Sequence, residues 1–468
     1  MENFLDNKKF VIVSACLLAI LAFIFFFKLG QRPLSDYDES IYAQVAQESL
    51  LQHHPLNLTW MGNLGLYRSQ MWFEKPPLMV WLTMLAYETF GINEFAARIW
   101  IAVFALATVA LTFYFVLKIF QSRAAALLSL ACYFIAFQFV NNAGILQFDT
   151  PVSFFILAAL FCFWQSKKNY YYFYFFWAAL GLGVMAKSVI GLLPLPIIGI
   201  CSLTAHDWHY LKEKNFWIGF ILFLVITLPW HVIETVRFGK TFWDQYFSYH
   251  LIKRYTTGLE GNQGGFWFYW RTLLAQKALL FLSLPSLAYF LYKIYKKSKP
   301  YLLVATSVLF IFLFFSFAQT KLSAYILVIY PFLIILVSVT LSHLFGFFEN
   351  KSSLIAKSWL WTACGLFLFS GLMYNNYRHA KIQDPYLANS KAIGLYLKNT
   401  SPSLPVYAYS TFGTKPAVIF YANQVVYYLR YSDPKPVDKF LLISEVKPNF
   451  PNTSSLLLTT GSSLYLIQ

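Results

Sequence analysis

Long runs of apolar residues, separated by short polar segments, fill most of the chain. Several runs reach the roughly 20 residues that an α-helix needs to cross a bilayer. Strands of a membrane barrel would alternate apolar and polar residues, so this pattern indicates helices. The first run follows Lys8 and Lys9 and lacks a small-residue cleavage site, so it is interpreted as a retained helix. We place about eleven spans, near residues 9–27, 97–118, 124–142, 150–166, 170–186, 189–205, 216–234, 268–290, 300–318, 322–343 and 357–375.

The pattern changes after about residue 375, where Pro, Ser, Thr and Asn become frequent and the apolar runs shorten. Strand-like segments there alternate with helical stretches near 386–399 and 436–443. The strand-like segments are Val406–Ser410, Gln424–Leu429, Ser455–Thr460 and Ser463–Gln468. The predicted fold is an all-α polytopic membrane domain, residues 1–375, with outer loops at 28–96 and 235–267. A small extracytoplasmic α/β domain, residues 376–468, follows it.

Composition supports a chain that lies mostly outside water. Hydrophobic residues make up 58% of the sequence and charged residues only 12%, against about a quarter in soluble domains. The net charge of +16 could indicate nucleic-acid binding, but the positive-inside rule explains it better in a membrane protein, and we expect no nucleic-acid partner. The five cysteines form no CxxC pair, so neither a zinc cluster of cysteines nor a disulfide framework is indicated.

The basic residues also predict the orientation of the spans. If the N-terminus is cytoplasmic, every short basic loop falls on the cytoplasmic side, as the positive-inside rule requires. These loops hold Lys118 and Arg123, then Lys167 and Lys168, Lys212 and Lys214, Lys293 to Lys299, and Lys351 and Lys357. We therefore predict a multi-pass protein of the cytoplasmic (inner) membrane whose long loops and C-terminal domain face the periplasm or exterior.

Scarce polar residues from six separate stretches fall on this predicted outer face. Ionisable groups at membrane depth are costly and are candidates for function. The candidates on this face are Asp38, Glu39, Glu74, Lys75, Asp149, Lys187, His250, Arg254, Lys321 and Tyr325.

Three carboxylates are candidate catalytic groups, each with a simpler structural explanation. Asp38 and Glu39 follow Ser35 and fall in the first turn of a predicted helix, where acidic residues favour the helix dipole. Asp149 precedes Thr150-Pro151 and could cap the fourth span. The functional alternative is a carboxylate near the bilayer surface that takes a proton from an acceptor hydroxyl.

The cations on the outer face suggest an anionic ligand. Lys187 runs against the positive-inside trend, which favours anion binding over snorkelling. Arg254 could hold phosphate oxygens, whereas Glu74 and Lys75 could simply form a local ion pair. His250 could be a metal ligand, a general base or an interface histidine.

No nucleotide-binding motif is present, neither GxxxxGK[ST] nor GxGxxG between a strand and a helix. Chemistry on the outer face has no access to cytoplasmic nucleotide sugars. A lipid-carried, activated sugar donor is therefore the expected supply.

Six motifs occur in an order that resembles a known family. They are Asp38-Glu-Ser-Ile-Tyr-Ala, Phe73-Glu-Lys-Pro-Pro, Phe148-Asp-Thr, Met185-Ala-Lys-Ser, Tyr249-His-Leu-Ile-Lys-Arg-Tyr and Thr320-Lys-Leu-Ser-Ala-Tyr-Ile-Leu. Over about residues 1–345 the chain resembles the GT-C class of integral membrane glycosyltransferases. It is most similar to the bacterial 4-amino-4-deoxy-arabinose transferases of lipid A, which are related to protein O-mannosyltransferases.

The resemblance implies an inverting transfer of a sugar, with an aminosugar among the candidates, from undecaprenyl phosphate to an acceptor such as lipid A. Asp38, with its neighbour Glu39, would face the acceptor hydroxyl or donor sugar, and Asp149 would orient the reacting groups. Glu74 and His250 match positions that bind a divalent metal, zinc in particular. The residues implied to hold the lipid phosphate are Lys75, Lys187 and Arg254, with Lys321 and Tyr325 nearby.

The chain departs from the family at two places. Ser188 stands where the family pattern has Gly, and the region after residue 345 is shorter than in the aminoarabinose enzymes. Because that region is expected to admit the acceptor, protein O-glycosylation stays an alternative to lipid A modification. A lipid-sugar flippase is a further alternative, although transporters concentrate charges near the membrane midplane. A scaffold protein would leave the charges on the outer face unexplained.

Overall fold

The computed structural model of the 468-residue chain divides into two compact units. One comprises Met1–Phe27, Glu74–Leu78 and Ile101–His379, and the other Lys28–Phe73, Met79–Trp100 and Ala380–Gln468. The structure describes residues 7–27, 29–61, 71–275, 277–351, 385–400, 402–410, 415–430, 438–445, 448, 450, 453–457 and 462–467. The segments Lys28–Phe73 and Met79–Trp100 thus group with the C-terminal region, whereas the sequence pattern places them within the membrane domain.

The described residues contain eight helices long and apolar enough to cross a membrane, so the chain is a multi-pass membrane protein. They are Asn7–Phe26, Glu94–Phe120, Asp149–Ser166, Tyr172–Leu192, Lys214–Thr256, Lys277–Tyr295, Lys299–Phe317 and Ser323–Gly346. Shorter apolar helices are Leu78–Phe90, Arg123–Tyr133 and Pro194–Ala205. The predicted helical membrane fold is confirmed. The count of about eleven spans is not matched one for one, and the predicted span 357–375 lies outside the described residues.

Two predicted spans are interrupted helices. The predicted span 124–142 consists of Arg123–Tyr133 and Phe137–Asn142, and 268–290 contains Phe268–Leu274 and most of Lys277–Tyr295. At the first break the amides of Ile135 and Ala136 donate to carbonyls three residues earlier. Non-helical backbone at membrane depth is tolerated where it is buried in protein. A hydropathy pattern measures apolar length and does not detect such interruptions.

Irregular helical segments continue several of the long helices. The helix Lys214–Trp243 passes directly into a π-helix, Asp244–Lys253, and then Arg254–Thr256, so much of the predicted loop 235–267 is helical. The others that adjoin a helix are the π-helix Val116–Phe120 and the 3₁₀ helices Ser188–Leu192 and Ser323–Ile329, the last leading into Tyr330–Lys351. The 3₁₀ helix His209–Lys212 stands alone between two helices.

Three helices of the first unit pack in series and fix the position of the segment that follows Lys187. Asp149–Ser166 packs on Tyr172–Lys187, which in turn packs on Lys214–Trp243. The segment Ser188–Leu192 folds back on Tyr172–Lys187 at Gly191, where an added Cβ would lie 2.3 Å from the carbonyl carbon of Gly183. Only glycine allows this approach, and it fixes the chain directly after Lys187.

The second unit contains a five-stranded sheet in the order β2-β1-β3-β5-β4. Strand β1 pairs in parallel with β2 and β3, whereas β5 pairs antiparallel with β3 and β4. The strands are β1 Val406–Ser410, β2 Tyr427–Arg430, β3 Phe440–Ser444, β4 Thr453–Leu457 and β5 Ser463–Ile467. The helices of this unit are Asp38–Leu51, most of Leu78–Phe90, the start of Glu94–Phe115, Pro385–Thr400 and Pro416–Ala422. The predicted C-terminal α/β fold is confirmed.

The helix predicted near 436–443 is wrong, because residues 440–443 belong to the central strand β3. All five residues of this strand are buried. A strand covered on both faces is apolar throughout instead of alternating, so its pattern cannot be distinguished from that of a short buried helix.

Candidate active site

One pocket in the first unit collects seven of the ten residues selected from the sequence. They come from the segment Glu74–Leu78, from the start of the helix Asp149–Ser166, from the end of the helix Tyr172–Lys187, from the π-helix and the residue after it, and from the 3₁₀ helix Ser323–Ile329. The seven are Glu74, Lys75, Asp149, Lys187, His250, Arg254 and Tyr325. The structure therefore brings these separate stretches together for this set, and the roles of the seven residues stay predictions.

Glu74 lies at the centre of one charged group. Its Oε1 accepts from Lys75 Nζ at 2.9 Å and lies 3.9 Å from Arg254 Nη2. Burial opposes ionisation of this carboxyl, but the charges of Lys75 and Arg254 outweigh it and hold the pKa of Glu74 well below its usual value. Glu74 therefore stays charged and fixes two cations at the pocket wall.

Arg254, which directly follows the π-helix, donates hydrogen bonds to two residues. Its guanidinium donates to both oxygens of Glu260, at 2.8 and 3.1 Å, and to the Tyr325 hydroxyl at 3.0 Å. Among the described residues its buried Nε finds no hydrogen-bond partner. A phosphate oxygen is the kind of acceptor that would satisfy such a donor. Glu260 was missed from the sequence, although it is an acid only six residues from Arg254.

Asp149 and Lys187 form the second charged group. Lys187 Nζ lies 2.5 Å from Asp149 Oδ2 and 4.8 Å from the centre of the Tyr325 ring. The helix begins at Asp149 itself, with Phe148 at the capping position, so the expected N-cap role is wrong. The carboxylate instead holds a buried cation, and the two charges compensate each other in a low-dielectric place.

Lys321 has a different environment. Its Nζ donates to the carbonyls of Phe315 and Ser316, at 2.8 and 2.6 Å, and lies 5.2 Å from the Tyr269 ring. It therefore caps the end of the helix Lys299–Phe317, where cations are favourable. Its burial lowers the pKa of its ammonium. Contact of Lys321 with phosphate stays a prediction.

Asp38 and Glu39 belong to the second unit, at the start of the helix Asp38–Leu51. Glu39 is buried and accepts from Arg98 at 2.7 and 3.1 Å, and from the amide and hydroxyl of Ser35 at 2.8 Å each. Burial opposes this charge, but Arg98 outweighs it and the pKa of Glu39 falls to about 2. Glu39 thus organises the chain before the helix, and a direct catalytic role for it stays a prediction.

Arg98 was missed from the sequence. Its guanidinium also donates to the carbonyls of Leu29, Arg32 and Pro33. The available signal was a single arginine near the start of an apolar span, because an ionisable residue there requires a partner.

Ser188 follows Lys187 in an unusual backbone conformation. Its φ of 54° and ψ of −143° belong to a region that strongly favours glycine. Holding another residue there costs of order 1–3 kcal/mol. The Ser188 hydroxyl donates a hydrogen bond to the Tyr246 hydroxyl at 2.9 Å, and both residues line the pocket.

The fold is similar to that of a class of membrane enzymes, the GT-C glycosyltransferases. The family model described as dolichyl-phosphate-mannose-protein mannosyltransferase matches residues 14–246. ArnT from Cupriavidus metallidurans bound to undecaprenyl phosphate superposes with a TM-score of 0.76 over 97% of both chains, and at 16% identity this likeness establishes the fold. Together with the relatives below, these matches show that the chain is similar to glycosyltransferases of the GT-C class.

Curated relatives extend the similarity. An uncharacterised protein of Aquifex aeolicus is 29% identical over 73% of this chain and 77% of its own length. The undecaprenyl phosphate-α-4-amino-4-deoxy-L-arabinose arabinosyl transferase of Erwinia tasmaniensis is 26% identical over 65% of this chain, and that of Pseudomonas savastanoi 27% over 71%. The alignments span only 55% and 62% of these two transferases.

Proposed function

We propose that this protein transfers a sugar from an undecaprenyl-phosphate carrier to an acceptor outside the cytoplasm. The observation that carries the proposal is the gathering of Lys75, Lys187 and Arg254 around one pocket at the ends of apolar helices. Cations in such a place suit a lipid-linked phosphate, whose prenyl chain can lie along the apolar helices. The similar arabinosyl transferases carry undecaprenyl phosphate in their names.

The proposed reaction is a single displacement that inverts the anomeric centre. An acceptor hydroxyl attacks the anomeric carbon, the bond from that carbon to the phosphate oxygen breaks, and the polyprenyl phosphate leaves with the bonding electrons. Lys75, Lys187 and Arg254 stabilise the charge that develops on the phosphate. Asp149 holds Lys187 in position through its 2.5 Å ion pair.

A carboxylate is also needed to accept the proton of the attacking hydroxyl. We assign this role to Asp38, the first residue of the Asp-Glu motif in which the chain resembles the GT-C class. Its neighbour Glu39 is held by Arg98 and Ser35. Asp38 stands at the first position of its helix, where the helix dipole favours the ionised carboxylate.

The proposed acceptor is an envelope glycolipid of the lipid A type. A protein acceptor is the second candidate, since the family model that matches residues 14–246 is named for protein mannosyltransferases. Mass spectrometry of lipid A and of surface proteins, from cells with and without the gene, tests the two. A sugar lost from the lipid alone supports the first proposal, and a sugar lost from protein alone supports the second. No change in either would contradict both.

The pocket and a group of basic loops lie at opposite ends of the helix Asp149–Ser166, which supports an outward-facing pocket. Asp149 begins the helix Asp149–Ser166 at the pocket, and Lys167 follows its other end about 27 Å away, close to the thickness of a bilayer core. Lys167 and Lys299 share the carboxylate of Asp207 at 3.3 and 3.1 Å, so three short loops meet on that other face. Because basic loops stay cytoplasmic, the pocket is proposed to face the periplasm of an inner-membrane protein.

Reporter fusions test this orientation. A reporter joined after Lys297 should be active only in the cytoplasm, and one joined after Gln468 only outside it, because the basic loops resist translocation. A fusion after Lys168 serves as an internal control and should match the one after Lys297. Reporters after Lys297 and Gln468 on the same side of the membrane would contradict the proposed topology.

Glu74 and His250 are proposed to provide two ligands of a divalent metal, zinc in particular. Both line the pocket, and a carboxylate oxygen with an imidazole nitrogen is a donor pair that zinc accepts. No group of three or more His, Cys, Asp or Glu able to hold a metal occurs within the described residues. Further ligands would therefore be water or phosphate oxygens, and a bound metal would act as a Lewis acid toward the phosphate.

Metal binding is consequently expected to depend on the donor phosphate. Elemental analysis of purified protein should show more bound zinc after incubation with undecaprenyl phosphate than without it, because two protein ligands alone hold zinc weakly. Glu74→Gln and His250→Ala should each abolish the increase, whereas Glu213→Gln, on a cytoplasmic loop, should not. Zinc content independent of the phosphate and of both substitutions, with transfer unaffected by chelators, would contradict the metal site.

A further inference from the structure

A chain of hydrogen bonds leads from the core of the first unit to the pocket wall. His231 Nδ1 lies 2.7 Å from the carbonyl oxygen of Thr227, one turn earlier in the same helix. The Nε2 atom of that ring lies 3.0 Å from the Tyr246 hydroxyl. The Tyr246 hydroxyl lies 2.9 Å from Ser188 Oγ. Four residues on three elements are thus connected.

The carbonyl at one end of this series determines which group donates in each of its hydrogen bonds. A carbonyl oxygen can only accept, so Nδ1 of His231 carries the proton and Nε2 of the neutral imidazole accepts from Tyr246. The single proton of Tyr246 is then committed to His231, so its oxygen accepts from Ser188. Ser188 has one hydroxyl proton, which this contact uses. What Ser188 Oγ retains is its acceptor capacity.

Ser188 and Tyr246 both line the pocket beside Lys187, the proposed phosphate ligand. We infer that Ser188 Oγ forms a subsite that accepts a hydrogen bond from the donor sugar, from either a hydroxyl or an amino group. The inference rests on the proposed function, because it places the sugar next to the phosphate held by Lys187. It also explains why serine occupies a backbone conformation that favours glycine: the hydroxyl serves the ligand.

Binding measurements separate a sugar contact from a phosphate contact. The protein is reconstituted in phosphatidylethanolamine–phosphatidylglycerol vesicles and titrated with undecaprenyl phosphate, then with the same carrier bearing 4-amino-4-deoxy-L-arabinose or mannose. One of the sugar-bearing carriers should bind the wild type more tightly than the bare carrier does. Ser188→Ala should weaken binding of that sugar-bearing carrier roughly tenfold, the effect of losing one buried hydrogen bond. Binding of the bare carrier should stay within about twofold of the wild type, since no phosphate contact is lost.

Two further variants complete the test. Tyr246→Phe should weaken binding of the sugar-bearing donor by less than Ser188→Ala does. In this variant Ser188 keeps its oxygen, but its hydroxyl is no longer held in one orientation. Ser307→Ala removes a buried serine hydroxyl that donates to the Leu303 carbonyl in its own helix. This control should change the binding of neither ligand.

Three outcomes would overturn the inference. One is an equal loss for both ligands in Ser188→Ala, which would mean that Ser188 acts on the position of Lys187. The others are unchanged binding of the sugar-bearing donor in that variant, and a wild type that binds neither sugar-bearing carrier more tightly than the bare one. Failure of the wild type to bind undecaprenyl phosphate at all would instead contradict the proposed function.

Discussion

Asp38→Asn is expected to slow sugar transfer at least about a hundredfold while the protein remains folded. Asparagine keeps the shape of the side chain but cannot take a proton from the acceptor, and positioned acid–base groups contribute about 10²- to 10⁴-fold. The measurement is steady-state transfer by purified protein in lipid, with the thermal unfolding midpoint recorded in parallel. Binding of undecaprenyl phosphate should be unchanged, because Asp38 is not assigned to the donor phosphate.

Glu39→Gln, at the next residue, is the matched comparison for stability. This change leaves Arg98 buried without its counter-ion, which costs about 3–5 kcal/mol when a buried pair loses one partner. It should therefore lower the unfolding midpoint strongly. Folded protein of the Asp38→Asn variant with nearly normal turnover would reassign Asp38 to a structural role at its helix terminus.

The pH dependence of stability distinguishes the two carboxylates further. Glu39 has a folded pKa of about 2, below its ordinary value of 4.5. A lowered pKa contributes stability that is complete above about 4.5 and is lost as the pH falls toward 2. This acid-dependent loss should be present in the wild type and in Asp38→Asn, and it should be reduced in Glu39→Gln.

Lys187→Ala is expected to weaken use of the lipid-linked donor roughly ten- to a hundredfold. A hydrogen bond to a charged partner contributes about 1.5–3 kcal/mol, and each 1.4 kcal/mol corresponds to a tenfold change. Lys187→Arg should recover only part of the loss, because a planar guanidinium does not fit a site occupied by a compact ammonium. The measurement is a titration of transfer rate and of undecaprenyl phosphate binding in lipid.

Removal of Lys187 also leaves Asp149 buried without its partner, so stability must be controlled. The double variant Lys187→Ala/Asp149→Asn should regain stability but not binding of the carrier. Lys240→Ala provides a second control, because Lys240 pairs with Asp244 on an exposed surface and its removal should leave carrier binding unchanged. Unchanged carrier binding in both Lys187→Ala and Arg254→Ala would assign these cations to the membrane interface.

Residue chemistry and hydropathy identify the charged residues of the pocket because both are properties of local sequence. A charged residue in an apolar chain is conspicuous whatever its partners are, which is how Glu74, Lys187 and Arg254 were selected. The same argument also selected Lys321, which in the structure caps a helix end. Local sequence shows that a buried cation needs acceptors, but it does not show whether those acceptors belong to a ligand or to the backbone.

Partners that lie far apart in the chain could not be predicted in this way. Glu39 and Arg98 are 59 residues apart, and Ser188 and Tyr246 are 58 residues apart. Neither pair has a characteristic spacing, because each depends on how two helical segments pack. The strand Phe440–Ser444 was assigned wrongly for a related reason: its neighbours cover both faces and remove the alternation that marks a strand.

The sequence by itself determined that the chain is a helical membrane protein with a small C-terminal α/β fold, and it selected the charged residues that the structure gathers in one pocket. Apolar length, loop charge and residue type carry that information without reference to the fold. Only the tertiary structure decided which carboxylate pairs with which cation, and that Ser188 is connected through Tyr246 to His231. Such choices depend on distances of a few ångströms between separate elements, and only packing sets those distances.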